Sequence, residues 1–293
     1  MPKTKKESAP KKTTVGAKYI KQKKTIKELS ETQPLNTLRF ENNYFEIMHN
    51  EWLLDKYILE RGCYTTDAYC NTLPAVECAV KQKKPTTISV QLTSDGVAIL
   101  YKDSTLAKLG ENGYVANTKF DELKDLTIVG TDNVKVCTLD TALEAIANKV
   151  PVVVEVINTN STLHEVEPKV LASIEEYMTK YNMREGVAIM SINPFTLEWF
   201  VTNAPHLPRI LKSGKFKAKM YGNMKTKELR KLKYHTIAQA DYIAYPAHDL
   251  PCKHIKKTKP VGVIAYRVTD ARKYKKVVKY CDNIMYSGFE PII

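Results

Sequence analysis

Eight short apolar runs, most of them followed through a short link by a stretch of helical spacing, constrain this chain more than any other feature. They lie at Tyr57–Arg61, Thr87–Leu92, Val150–Val156, Val187–Ile192, Arg209–Leu211, Tyr242–Tyr245, Val261–Tyr266 and Asn283–Tyr286. Runs this short, rich in branched and aromatic residues, read as buried strands, and strands that alternate with helices build a parallel sheet from βα units. The helical stretches fall at Leu73–Lys81, Leu139–Asn148, Pro168–Tyr181, Pro194–Asn203, Thr226–Tyr234 and Ala271–Tyr280. Asn193-Pro194 supplies a cap and a first-turn proline, and Thr269-Asp270 offers a second cap. Thr138–Glu144 has the outline of a capping box with Asp140 or Thr141 as the cap. Short links of this kind predict a closed (β/α)8 TIM barrel over residues 36–293, with 97–125 inserted after the second strand.

A chain of 293 residues that is 43% apolar is long enough for one such barrel. No apolar run approaches the 18 or so residues that span a bilayer, and no apolar core follows the N-terminal charges. The expectation is a cytoplasmic protein, or one carried as part of an assembly. The six cysteines (Cys63, Cys70, Cys78, Cys137, Cys252, Cys281) form no C-x-x-C pair, which predicts reduced and mostly buried thiols.

The net charge of +13 is unevenly distributed. Residues 1–35 hold ten lysines against three glutamates, segments 209–233 and 253–279 each carry a net +9, and 36–208 carry a net −8. The first 35 residues have too few apolar side chains to offset their ordering entropy, which predicts a flexible basic arm, with a short helix at Ile26–Ser30. In the arm, Lys3, Lys5, Lys6, Lys11 and Lys12 are candidate anion- or partner-binding residues. On the barrel, Lys215, Lys217, Lys219, Lys231, Lys275 and Lys276 are the corresponding candidates, with Lys212 opening the series of alternate lysines. Surface lysines are usually no more than a solvated face. Three concentrated blocks beside an acidic body point instead to a protein partner in a larger assembly, a second copy of the chain, or a polyanion such as nucleic acid.

Several motifs resemble the glycerophosphodiester phosphodiesterase family. Ile58-Leu59-Glu60-Arg61-Gly62 is similar to its opening strand with His-Arg-Gly, Cys70-Asn71-Thr72 to its Glu-Asn-Thr, and Val90-Gln91-Leu92-Thr93-Ser94-Asp95-Gly96 to the strand and turn that follow its Glu-x-Asp. Lys102-Asp103-Ser104-Thr105-Leu106 resembles its His-Asp-x-x-Leu, and Val152–Ile157 its Glu-x-Lys strand, with Glu155 retained. The segment Val263–Asp270 and the closing stretch Asn283–Pro291 follow the family pattern as well. The resemblance covers roughly Ile58–Ile293 and implies a PLC-like phosphodiesterase barrel.

It also implies a divalent cation held by carboxylates and two histidines that move protons. At the aligned positions this chain has Cys70, Thr87 and Ser89 for three of the four acids, and Glu60 and Lys102 for the histidines. That pattern leads to the expectation of an inactive barrel with no metal and no cofactor, serving as a structural, assembly or binding component. The residual mouth residues Glu60, Arg61, Lys102 and Glu155 are expected to face one another, with a Glu60–Lys102 ion pair. Arg61 is left to bind an anion or to pair with Glu60 or Glu155. Two alternatives stand beside this reading: a nucleic-acid-associated protein without sequence specificity, and a divergent phosphodiesterase that uses Glu60, Glu155 and Arg61.

Overall fold

The computed structural model describes residues 50–64, 69–158, 164–216, 226–258 and 260–291. The expected arm with its lysines and short helix, and Lys217 and Lys219, lie outside the described residues. Eight parallel strands close on themselves: β1 (Ile58–Leu59), β2 (Thr86–Leu92), β4 (Val152–Val156), β5 (Val187–Ser191), β6 (Arg209–Lys212), β7 (Tyr242–Pro246), β8 (Gly262–Val268) and β9 (Asn283–Tyr286). Pairing runs from β1 through β9, β8, β7, β6, β5 and β4 to β2, and β2 returns to β1. The chain is a (β/α)8 TIM barrel. The inserted segment adds β3 (Ala98–Leu100), antiparallel to the end of β2, with Val90 opposite Leu100.

Period-two alternation sorts each strand between two cores. On β4, Val152, Val154 and Val156 pack outward against the helices, while Val153 packs inside the barrel with Ala188, Met190, Ile210 and Ile264. The barrel floor is plugged by a short helix, Trp52–Asp55, that the periodicity does not reveal. Its Leu53 is fully buried among the interior residues, and Asn283 Nδ2 donates to the carbonyls of Leu53 and Lys56 at 2.8 Å each. Burial of one such leucine contributes about 1.5–3 kcal/mol.

The helix boundaries follow local chemistry. Asn193 caps the helix Pro194–Asn203 by accepting from Phe195 N, and Asp270 caps Ala271–Val277 by accepting from Lys273 N. The cap of Leu139–Ile146 is Thr138, which accepts from Thr141 N, and not Asp140 or Thr141. The helix expected over Thr226–Tyr234 stops at Arg230, and Leu232 beyond it takes a left-handed φ of 57°.

Cys63 and Cys78 form a disulfide, which corrects the expectation of six reduced thiols. The loop carrying Cys63 is pressed onto the helix Leu73–Lys81: Cys63 N donates to Ala75 O, and a Cβ on Gly62 would sit 2.6 Å from the Ala75 carbonyl. The two sulfurs meet because loop and helix pack. Cys70, Cys137, Cys252 and Cys281 are free and half-buried. Among the described residues no helix is long and apolar enough to cross a membrane.

Candidate functional site

Toward the C-terminal ends of the strands the barrel interior changes from apolar to charged. Glu155 is the fourth residue of β4, points inward, and is 2% exposed. Lys212, the last residue of β6, is 6% exposed and donates from Nζ to Glu155 Oε1 at 2.8 Å. Its ammonium also lies 4.8 Å from the centroid of the Tyr266 ring, which contributes a cation–π attraction. Tyr266 is itself held by donation from its hydroxyl to Ser213 O at 2.9 Å.

Lys102 reaches the same carboxylate from above, with Nζ 3.1 Å from Oε1 and 3.0 Å from Oε2. Ser89 Oγ on β2 completes the set at 2.7 Å from Oε2. One carboxylate therefore accepts from two ammonium groups and a hydroxyl. Burial alone would push its pKa up, but Lys102 and Lys212 hold it well below the usual carboxylate range. Two cations on one anion leave a surplus of positive charge. Burial, helped by repulsion from Lys212 and Arg61, pulls the Lys102 ammonium down to about 8 against the attraction of Glu155. The Lys102 side chain remains 30% exposed, against 7% for Lys212, so Lys102 is the member of the cluster that solvent reaches.

The neighbouring loops explain the motif residues around this cluster. Gln91 Nε2 donates to the carbonyls of Tyr101 and Asp103 at 2.8 Å each, clamping the backbone on both sides of Lys102. Thr93 and Gly96 make the turn from β2 into β3, with Thr93 Oγ1 accepting from Val97 N at 3.0 Å and Gly96 at a φ of 77°. β1 is so short that it covers only the start of β2. Asn71 takes the place of the missing ladder, its amide donating to Ser89 O at 2.9 Å and accepting from Ser89 N at 2.7 Å. Thr87 Oγ1 accepts from Arg61 N at 2.8 Å.

Arg61, Tyr69, Cys70, Asn71, Lys102 and Lys108 line a small open cleft together with the segment Leu100–Asp103. Burial works against the Arg61 guanidinium, yet Cys70, Glu60, Glu155 and Asp103 raise its pKa overall. Its Nε is buried without a hydrogen-bond partner. Lys108 is paired with Asp103 at 2.7 Å.

Residues 61–278 match the model of the glycerophosphoryl diester phosphodiesterase family. The chain belongs to that family. No curated protein sequence matches it. Among solved structures it is similar to an Oleispira antarctica phosphodiesterase in complex with the product sn-glycerol-3-phosphate, at 20% identity and a TM-score of 0.62 over 80% of this chain and 93% of that one. The glycerophosphodiester phosphodiesterases of Parabacteroides distasonis (17%, TM-score 0.59, 79% and 92% covered) and Thermotoga maritima (18%, 0.57, 79% and 94%) are similar over the same span.

Within this family fold, the residues singled out in the sequence separate into two groups. Lys102 and Glu155 meet directly, and Arg61 lines the same cleft as Lys102. Glu60 does not pair with Lys102, contrary to expectation. Its Oε2 accepts from Arg267 N at 2.8 Å and its backbone N donates to Tyr286 O, which ties it to the β8 and β9 side of the mouth. Gln91 meanwhile fixes Lys102 over β2 and β4, where Glu155 is the carboxylate within reach. Lys212 is the residue that sequence reasoning misplaced: grouped with surface lysines, it is buried in the barrel. The available signal was its place at the end of an apolar strand, two residues after inward-facing Ile210. Lys215 is bound to Asp249 at 2.8 Å, while Lys231, Lys275 and Lys276 are exposed. Among the described residues, no group of three or more His, Cys, Asp or Glu is placed to share a metal ion.

Proposed function

We propose that this family member has given up metal-dependent diester hydrolysis and acts as a binding or assembly component built on the family barrel. The observation that carries this reading is the occupancy of both Glu155 oxygens by the ammonium groups of Lys102 and Lys212 at 2.8–3.1 Å. A hard divalent cation needs several oxygen ligands of net negative charge. The resemblance places three further acids where this chain has Cys70, Thr87 and Ser89, and two of these are already engaged, Thr87 with Arg61 N and Ser89 with Glu155. The donor set does not fit the cation. The pairing of Glu155 with lysine replaces coordination with neutralisation. Proton transfer is weakened as well: Glu60 is committed to Arg267 N, and Lys102 stands in place of a histidine.

The binding role rests on the basic segments, since little of their charge belongs to the mouth. The test is hydrolysis of a glycerophosphodiester in the presence of magnesium or calcium, followed by release of glycerol phosphate. The expected rate is indistinguishable from that of Glu155→Gln. Metal-dependent turnover that Glu155→Gln abolishes would overturn the reading.

A second reading, a divergent phosphodiesterase, is favoured by one observation: Arg61 and Lys102 share a cleft that solvent enters. It predicts turnover without added cation that Lys102→Met and Arg61→Gln both remove.

A further inference from the structure

The segments after β6 and β7 bring together cations that lie far apart in sequence. The helix Thr226–Arg230 and the turn beyond it carry Arg230 and Lys231, and the segment 252–258 carries Lys253 and Lys257; all four side chains are exposed. Tyr245 on β7 links the two segments. The Tyr245 hydroxyl donates to Arg230 O at 3.1 Å and bonds the Cys252 side chain, while Leu229, Leu232 and Ile255 are buried beneath. His254 sits among these cations and reports their field. Its imidazole is held below the ordinary histidine range, first by burial and then by Lys253, Lys231, Lys257 and Arg230, with no carboxylate among its main influences.

The carboxylates in the same segments are already engaged. Glu228 accepts from the Tyr234 hydroxyl at 2.9 Å and faces Lys233 at 3.6 Å, and Asp249 is bound to Lys215. The patch therefore presents four positive charges on neighbouring segments with little internal neutralisation.

We infer that Arg230, Lys231, Lys253 and Lys257 form a docking surface for the phosphate backbone of nucleic acid, bound without reading base sequence. The alternative partner of the same sign, an acidic protein, fits less well. Protein interfaces are built around an apolar or aromatic centre and are poor in lysine. The large apolar side chains exposed among the described residues, Tyr64, Tyr114, Val129, Val278 and Tyr280, all lie outside these two segments. A phosphate backbone asks only for positive charge at suitable spacing, which exposed cations on neighbouring segments supply. This inference deepens the binding role proposed above and is independent of whether the barrel mouth is active.

The test is fluorescence anisotropy of a labelled 20-base-pair DNA duplex against the full chain at several salt concentrations. The variants are Arg230→Gln, Lys231→Gln, Lys253→Gln and Lys257→Gln combined, and a control with Lys56, Lys81, Lys149 and Lys169 changed to Gln. Four phosphate contacts contribute roughly −3.6 to the slope of log K against log salt, on the order of 100-fold in affinity between 50 and 200 mM. The patch variant is expected to flatten the slope by about that amount while the control flattens it far less, with two duplexes of unrelated sequence behaving alike.

Equal losses in patch variant and control would overturn the inference, as would a wild-type slope that the patch variant retains. So would equally tight, patch-dependent binding of polyglutamate, which would assign the surface to acidic protein. Should the combined variant fail to fold, Lys231→Gln and Lys257→Gln singly are each expected to reduce the slope by about one. The diesterase assay on the same preparations reads the mouth separately, so failure here leaves that reading untouched.

Discussion

Replacing Glu155 by Gln keeps the side-chain shape and removes the negative charge that Lys212 and Lys102 share. Lys102, 30% exposed, can turn toward water. Lys212, 7% exposed and fixed against the Tyr266 ring, cannot. Breaking a buried pair so that one charge is left uncompensated costs about 3–5 kcal/mol, and Glu155→Gln is expected to fall in that range. Lys212→Met is expected to cost less, about 1.5–3 kcal/mol, because Glu155 keeps Lys102 and Ser89 as donors and loses one charged hydrogen bond.

The double variant contains neither buried charge, so its cost should be smaller than the sum of the two by about 2 kcal/mol. Urea unfolding at pH 7, with the m-value checked for constancy, measures all three. The pH dependence has a defined sign. The Glu155 pKa is lowered in the folded state, so the advantage of wild type over Glu155→Gln is complete above the unfolded value of about 4.3 and disappears as pH falls through the folded value. Strict additivity of the two substitutions, or a Glu155→Gln cost below about 1 kcal/mol, would show that the buried pair does not carry this energy.

Lys102→Met is expected to remove a rise in stability between pH 8 and about 10.4: the folded state gives up this proton near 8 and the unfolded chain near 10.4, so wild type gains over the variant across that window. Unfolding curves at pH 7.5, 9 and 10 measure the difference, and a constant gap would refute the assignment. Cys78→Ser opens a loop of sequence separation 15 and should cost about 3 kcal/mol relative to the oxidised protein, while leaving the reduced protein little changed. Equal stability of oxidised wild type and variant would contradict it. Gly62→Ala places a Cβ 2.6 Å from the Ala75 carbonyl at a φ of 79°, and is expected to destabilise by more than about 1 kcal/mol; an unchanged melting temperature would count against the close packing of loop on helix.

The strands were legible because most are short apolar runs whose inward and outward residues are both buried, as on β4, where Val153 and Val154 face opposite cores. The helix caps were legible for the same local reason at Asn193 and Asp270, where the capping oxygen lies next to the first turn. Long-range pairing was not. The choice of Lys102 for Glu155 over Glu60 depends on Gln91 clamping the backbone of a loop 11 residues after it, a contact that no local pattern announces. Lys212 was hidden by its company, since the exposed lysines that follow it mask the one that ends a strand. The floor helix Trp52–Asp55 is too short to show a period, and the Cys63–Cys78 bond follows from packing of a loop on a helix and not from cysteine spacing.

The central claim, that lysine has taken the place of a divalent cation at Glu155, is tested most directly by calorimetric titration of magnesium and calcium into the intact protein and into Glu155→Gln. The predicted result is the same weak, non-saturating heat for both proteins. A saturable one-to-one binding event in the wild type that Glu155→Gln abolishes would contradict the account.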